Sequence, residues 1–142
     1  MEKQSLDRYT TAQERDFPTA LTEISYGRKQ THWMWYIFPQ IQGLGSSEAA
    51  KFYAIKDLKE AANYLMHPVL GPRLVKISKE LLRHQDRSAH EIFGSPDDLK
   101  LRSCMTLFAA VPNADPVFQQ VLDQFFDGEK DPKTQRILGL QP

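Results

Sequence analysis

Polar side chains that could do chemistry lie among large aromatic rings between His32 and Gln40. This stretch holds both tryptophans, Trp33 and Trp35, together with Tyr36. An imidazole beside aromatic walls can act as a general base or stack against a planar ligand. The alternative is a histidine that is hydrogen-bonded at the edge of the core. The stretch therefore predicts a segment that nucleates the core or walls a pocket, because its rings have a large area to bury.

A second group of polar residues falls at a predicted helix start and comprises Asp97, Asp98, Lys100, Arg102 and Ser103. Helix N-termini present unpaired N–H groups and partial positive charge, which together with the two cations suit an anionic ligand. The two acids lie at the same end and already satisfy the helix dipole. The alternative is therefore a well-capped helix in which Asp98 pairs with Arg102 at i, i+4.

Other motifs predict less chemistry. The glycine- and serine-rich loop 43–47 lacks the lysine of a phosphate-binding loop, so we interpret it as the entry to a Ser-capped helix. His67, His84 and His90 show no metal-ligand spacing, and we expect no metal and no cofactor. Cys104 lies in the most apolar part of a predicted helix, where burial as an inert side chain is favoured over a nucleophile.

The amino-acid composition limits the classes of function that the chain can have. Lysine plus arginine equal aspartate plus glutamate at 18 each, and this zero net charge disfavours nucleic-acid binding. That function would need five cations on one surface, namely Arg28, Lys29, Arg73, Lys76 and Arg83. One cysteine excludes an internal disulfide, and no apolar run approaches the roughly 20 residues of a membrane span. We expect a soluble cytoplasmic protein with no membrane contact, a monomer or a weak homo-oligomer.

Helix signals recur along nearly the whole chain. We expect a short helical turn over 6–13, then a helix that opens at Asp16 and stops at Gly27. The aromatic stretch is helix or strand, since periodicity cannot separate the two in so short a run. Further helix starts are predicted at Ser46 or Ser47, Asp57, Gly71-Pro72, Ser88, Ser95, Asp115 and Asp131.

The helix that begins near Ser95 offers almost no polar face from Cys104 onward, so we expect it to be central and enclosed. The chain therefore predicts an all-α fold, a compact irregular globule of about eight or nine helices around that apolar helix. No long linker or repeat divides the 142 residues. We expect a single domain over 1–142, with its core roughly over 6–138.

Four motifs stand out along the chain, namely 32–40, Tyr53-Ala54-Ile55, 67–71 and 93–101 together with 105–108. In combination they resemble one known family, the bacterial and fungal domain-of-unknown-function family 1810. The resemblance covers roughly 6–138 and implies a mainly α-helical single domain without an established activity. Family members often have serine where this chain has Cys104, which weakens a catalytic role for the thiol. The shared motifs carry polar residues that packing alone does not demand, and so imply a common pocket.

Two functional hypotheses follow. The first is a small-ligand site, catalytic or not, for a polar or anionic planar molecule such as a nucleotide-like compound. It would be walled by the aromatic stretch and needs His32 and Lys100 to face one cavity. The second is a protein-interaction domain without catalysis, which predicts an exposed apolar patch and no polar cleft. Nucleic-acid binding is a third and weaker hypothesis.

Overall fold

The chain is mainly helical in the part that the computed structural model describes, residues 2–140, with side chains from residue 6. Over that range nine helices follow one another without a strand, and one isolated parallel bridge joins Ile41 to Ile55. The helices are α1 (Glu2–Ser25), α2 (Met34–Ile37), α3 (Glu48–Phe52), α4 (Leu58–Met66), α5 (Leu70–Leu82), α6 (Ala89–Phe93), α7 (Asp97–Ala109), α8 (Val117–Phe126) and α9 (Pro132–Leu138). The all-α prediction is confirmed. The predicted domain limits, residues 1 and 142, lie outside the described residues.

The first helix departs from the prediction. A short turn and a separate second helix were expected, but α1 runs unbroken for 24 residues with Pro18 inside it. An interior proline costs about 3 kcal/mol in an isolated helix. Here the proline is exposed, and the opposite face carries one buried stripe from Tyr9 to Ile24 that packs against α5 and α2. The helix continues because both sides of Pro18 are anchored in the same core.

Local cap signals locate most other helix ends. Asp57, Ser88 and Asp131 each accept a hydrogen bond from the backbone three residues on, as predicted. Ser47 caps α3, which is shorter than predicted and ends before Ile55.

Three predicted starts are displaced by one or two residues. The N-cap of α7 is Pro96 rather than Ser95, and that of α8 is Pro116 rather than Asp115. Helix α5 begins at Leu70, ahead of the predicted Gly71-Pro72 start. A Cβ atom on Gly71 would lie 2.0 Å from the Leu65 carbonyl oxygen, so glycine permits this close approach of α5 to α4.

The central helix is α7, as predicted. Leu101 and the whole run from Ser103 to Phe108 are buried, and α7 packs against α4, α6, α8 and α9. Cys104 is fully buried in this run, and burial raises the pKa of its thiol well above the ordinary value. The thiol is therefore held protonated within the core.

The aromatic stretch forms a helix of one turn, α2. Trp33 precedes it and is 1% exposed, and its ring lies 6.2 Å from Phe38 and 6.5 Å from Phe93 between ring centroids. The indole is therefore a core group, whereas Trp35 is only half-buried.

One carboxylate fixes the turn that leads into α2. Glu23 accepts hydrogen bonds from the backbone N–H of Gln30 (2.8 Å), from the N–H and hydroxyl of Thr31 (3.1 and 2.7 Å), and from the Trp33 indole N–H (2.8 Å). Burial by itself would raise the pKa of Glu23. The four hydrogen bonds outweigh burial and hold this pKa below its ordinary value.

No helix in residues 2–140 combines the length and the hydropathy needed to cross a lipid bilayer.

We expect Glu23→Gln to destabilise the protein by about 2 kcal/mol at pH 7, because the amide loses the charge that these four donors share. A carboxyl whose pKa is lowered on folding stabilises the fold above its unfolded pKa, and this contribution is lost as pH falls through the folded value. Below the ordinary pKa of 4.5 the wild type therefore loses stability faster than the variant does. Urea unfolding between pH 7 and pH 3 measures both. The control is Glu14→Gln, an exposed acid on α1; equal pH dependence in all three proteins would contradict the expectation.

Candidate functional site

Four residues predicted to form the site do lie together. Asp97 forms ion pairs with Lys29 (Nζ to Oδ2, 3.0 Å) and with Lys100 (Nζ to Oδ1, 3.5 Å). Each ammonium also lies over an indole, Lys29 5.0 Å from the Trp33 ring centroid and Lys100 5.6 Å from that of Trp35. We call these five residues the tryptophan–lysine cluster.

The charges of the tryptophan–lysine cluster are largely satisfied internally. The Lys29 side chain is 7% exposed and also donates to the Thr31 carbonyl oxygen at 2.7 Å. Lys100 is 27% exposed. Two ammonium groups against one carboxylate leave a net charge of +1, but an anion from solution would have to compete with Asp97 for both. The cluster therefore ties the 29–33 segment to the start of α7.

Asp98 and Ser103 make local contacts. Asp98 lies 3.5 Å from the His90 imidazole and accepts hydrogen bonds from the Leu99 N–H (2.8 Å) and the Ser95 hydroxyl (3.3 Å). The Ser103 hydroxyl donates back to the Leu99 carbonyl oxygen at 3.2 Å. Both side chains thus satisfy groups at the first turns of α7.

Arg102 does not make the predicted pair with Asp98. Its guanidinium donates to the carbonyl oxygens of Glu129 (2.9 Å) and Lys130 (2.8 Å), and it lies 3.8 Å from the Glu129 carboxylate. The physical reason is that the α8–α9 connection presents two carbonyl groups with no helical partner, which a planar guanidinium satisfies together. Arg102 therefore anchors that connection to α7.

The remaining predicted residues separate. His32 is exposed, and the described contact it makes is through its carbonyl oxygen. Gln40 is half-buried, and its carbonyl oxygen accepts from the Ile55 N–H at 2.8 Å. Tyr36 points to another surface of the molecule, where it lines a groove with α1. His32 and Lys100 do not line that groove.

We call this cleft the tyrosine groove. It lies between α1 and the end of α3 and has a volume of about 510 Å³. Its lining residues are Asp7, Arg8, Thr11, Ala12, Arg15, Tyr36, Phe52 and Tyr53.

Three rings wall one side of the tyrosine groove. The Tyr36 and Tyr53 centroids are 5.0 Å apart, and Phe52 meets Tyr53 edge-on at 4.8 Å. Phe52 is 59% exposed, so its ring is accessible to a ligand. The Tyr36 hydroxyl donates to the Asp16 carboxylate. Burial, and then the hydrogen bond to this negative charge, raise the pKa of Tyr36, which stays protonated at neutral pH.

Two arginines supply the positive charge of the tyrosine groove. Most of the Arg8 guanidinium is already bound within the protein. It donates to the carbonyl oxygens of Phe52 (2.7 Å) and Ala54 (2.8 Å) and pairs with the Glu60 carboxylate at 3.4 Å. Its Nη1 atom is buried and has no hydrogen-bond partner among the described residues. The Arg15 side chain is 86% exposed and pairs with Asp16 at 3.2 Å. Arg15 is thus the cation that a ligand in the groove can recruit.

The positions of the described side chains give little support to metal binding or to nucleic-acid binding. Among the side chains that the structure describes, residues 6–140, no group of three or more histidine, cysteine, aspartate or glutamate residues is placed to hold a metal ion. Of the five cations that a nucleic-acid surface would need, Lys29 is buried against Asp97. Arg73 lies 5.2 Å over the Phe17 ring and donates to Gln13.

Comparison with known proteins identifies the chain. Residues 3–138 match the model of the family described as "Protein of unknown function (DUF1810)". The chain belongs to the DUF1810 family.

A similar protein of known structure supports the fold. The crystal structure of the conserved hypothetical protein Rv1873 from Mycobacterium tuberculosis superposes with a TM-score of 0.93 at 44% sequence identity. The match covers 96% of this chain and 97% of that one. A comparison with curated proteins gave no match.

Sequence reasoning missed every lining residue of the tyrosine groove except Tyr36, and among those missed are Arg8, Arg15 and Phe52. The two arginines lie in a segment predicted as a short turn followed by a break, and the contact of Arg8 with the Phe52 carbonyl spans 44 residues. An unbroken α1 would have placed Arg8, Ala12 and Arg15 on one helical face, since they are spaced four and three apart. That spacing is the signal that was available.

In the tryptophan–lysine cluster, we expect Asp97→Asn to destabilise the protein by at least about 2 kcal/mol, because it leaves the buried Lys29 ammonium without its counter-ion. The matched change Lys100→Ala should cost less than about 1 kcal/mol, since that pair is more exposed and Asp97 keeps Lys29. Urea unfolding at pH 7 compares the two variants. Equal losses would show that Lys29 does not depend on Asp97.

Proposed function

We propose that this DUF1810 protein binds a small planar anion, such as a nucleotide-like compound, in the tyrosine groove. The observation that carries the proposal is the meeting of three aromatic rings and two arginines in one cleft of about 510 Å³. Ligand sites are typically clefts of several hundred Å³ that combine apolar walls with a few placed polar groups.

The aromatic wall suits a planar ring system. Phe52 is exposed beside the half-buried Tyr53, so a ligand ring can cover both and remove apolar surface from water. The Tyr36 hydroxyl is held by Asp16, which fixes this ring against Tyr53 before any ligand arrives. A wall that is ordered in advance lowers the entropy lost on binding.

The cation at the mouth of the groove suits a phosphate or a carboxylate. The Arg15 guanidinium presents a planar fork of donors that matches either anion in a bidentate pair. Its present partner, Asp16, accepts from the Tyr36 hydroxyl as well, so Asp16 keeps a donor when Arg15 turns to a ligand. This differs from the tryptophan–lysine cluster, where Asp97 is the counter-ion of the buried Lys29.

The proposal concerns binding and assigns no catalytic residue. The Tyr36 hydroxyl stays protonated at neutral pH, so it serves as a hydrogen-bond donor and not as a general base.

The test is calorimetric titration and thermal shift with AMP, adenosine and inorganic phosphate. We expect AMP to bind best, because it offers both a ring and an anion. Arg15→Ala should weaken AMP binding about tenfold or more, through loss of a charge-assisted pair. The matched control is Arg83→Ala, which removes a similarly exposed arginine (74%) from its pair with Glu80.

A second variant separates the wall from the charge. Phe52→Ala should weaken AMP and adenosine alike, because it removes stacking area without touching the cation. The proposal is contradicted if Arg15→Ala binds AMP as the wild type does, or if Arg15→Ala and Arg83→Ala lose affinity equally.

A further inference from the structure

The structure holds a second and larger groove, which we call the apolar groove. It has a volume of about 650 Å³ and lies between α4, α5 and the connection from α7 to α8. Its lining residues are Ala62, Leu65, Met66, Gly71, Pro72, Val75, Val111, Pro112, Asn113, Ala114, Asp115 and Phe118. None of them lines the tyrosine groove, so the two sites are independent.

The body of the apolar groove is hydrophobic from floor to rim. Phe118 and Val111 are buried beneath it, whereas Leu65 and Val75 are partly exposed on its sides. Met66 at the rim is 79% exposed, and methionine adapts its shape to different apolar ligands. A groove of this volume holds an apolar group of small-molecule size.

Two polar side chains, Asn113 and Asp115, also line the apolar groove. Asp115 is the one charged residue among its described lining residues, and its Oδ1 atom accepts from the Val117 N–H at 2.9 Å. Its Oδ2 atom has no partner among the backbone groups and side chains that the structure describes. Asn113 has a φ of +64°, in the left-handed region that asparagine tolerates, and its amide likewise has no hydrogen-bond partner in the described part of the chain.

We propose that the apolar groove binds a small molecule that has an apolar body and a single ammonium end. The body covers the surface between Val75 and Phe118, and the ammonium pairs with the Asp115 carboxylate beside the Asn113 amide oxygen. An ammonium is attracted to this carboxylate in a partly desolvated site, whereas a carboxylate at the same position is repelled by it. The charge of the groove thus selects among ligands of equal apolar area.

The first experiment uses three probes that share one body: 4-phenylbutylamine, 4-phenylbutanol and 4-phenylbutanoate. Titration of the full chain, followed by backbone amide NMR, gives each affinity and the residues that respond. We expect the amine to bind about tenfold more tightly than the alcohol, and the carboxylate to bind most weakly. Shifts should centre on Val75, Val111 and Asn113.

Variants test whether the preference for the amine comes from the Asp115 carboxylate. Asp115→Asn keeps an acceptor for the Val117 N–H but removes the charge, so the amine should fall to the affinity of the alcohol. The matched control is Asp123→Asn, an exposed acid on α8 whose partner is Gln119; it should leave all three affinities unchanged. Val75→Phe fills the groove and should weaken all three probes, with folding checked by circular dichroism.

Several outcomes overturn the proposal. They are a carboxylate that binds as tightly as the amine, an Asp115→Asn variant with unchanged amine affinity, or shifts that centre elsewhere. If the amide resonances of the groove residues shift with protein concentration and not with added probe, a second copy of the chain covers the groove. Failure of all three probes to bind overturns it as well, and none of these results bears on the tyrosine groove.

Discussion

The Glu23 carboxylate is the contact on which the arrangement of the aromatic residues depends. It gathers four donors from a turn of the backbone and from the Trp33 indole, and so converts a loop after α1 into a rigid entrance to α2. A carboxylate that accepts several hydrogen bonds is stabilised in its charged form, which is why it can remain ionised at the edge of a core. With Trp33 held inward, the one-turn helix must send its other large rings to different surfaces.

That division separates residues that are neighbours in sequence. Trp35 joins Lys100 and Asp97 at the start of α7, whereas Tyr36 turns to α1 and forms the wall of the tyrosine groove. Most charged groups near the first surface neutralise one another within the protein. The exposed cation Arg15 lies at the second surface, where its pair with Asp16 is open to solvent. This exposure of the charged group, more than the number of aromatic rings, is why we propose the second surface as the ligand site.

Local chemistry was predictable from the sequence, and contacts between distant segments were not. Asp57 and Ser88 act as caps through backbone groups only three residues away, so the sequence alone predicts them. The continuity of α1 through Pro18 depends on packing against α5, which no local rule contains. Arg8 likewise acquires its role from carbonyl groups 44 and 46 residues away, so the tyrosine groove becomes visible only once α1 and the end of α3 are adjacent.

The role of Glu23 is tested most directly by hydrogen exchange of the two indole protons, followed by NMR. We expect the Trp33 indole proton, which is buried and bonded to Glu23, to exchange only when the whole protein unfolds, whereas that of the half-buried Trp35 exchanges orders of magnitude faster. Equal and fast exchange of both protons would show that the carboxylate does not fix the aromatic segment.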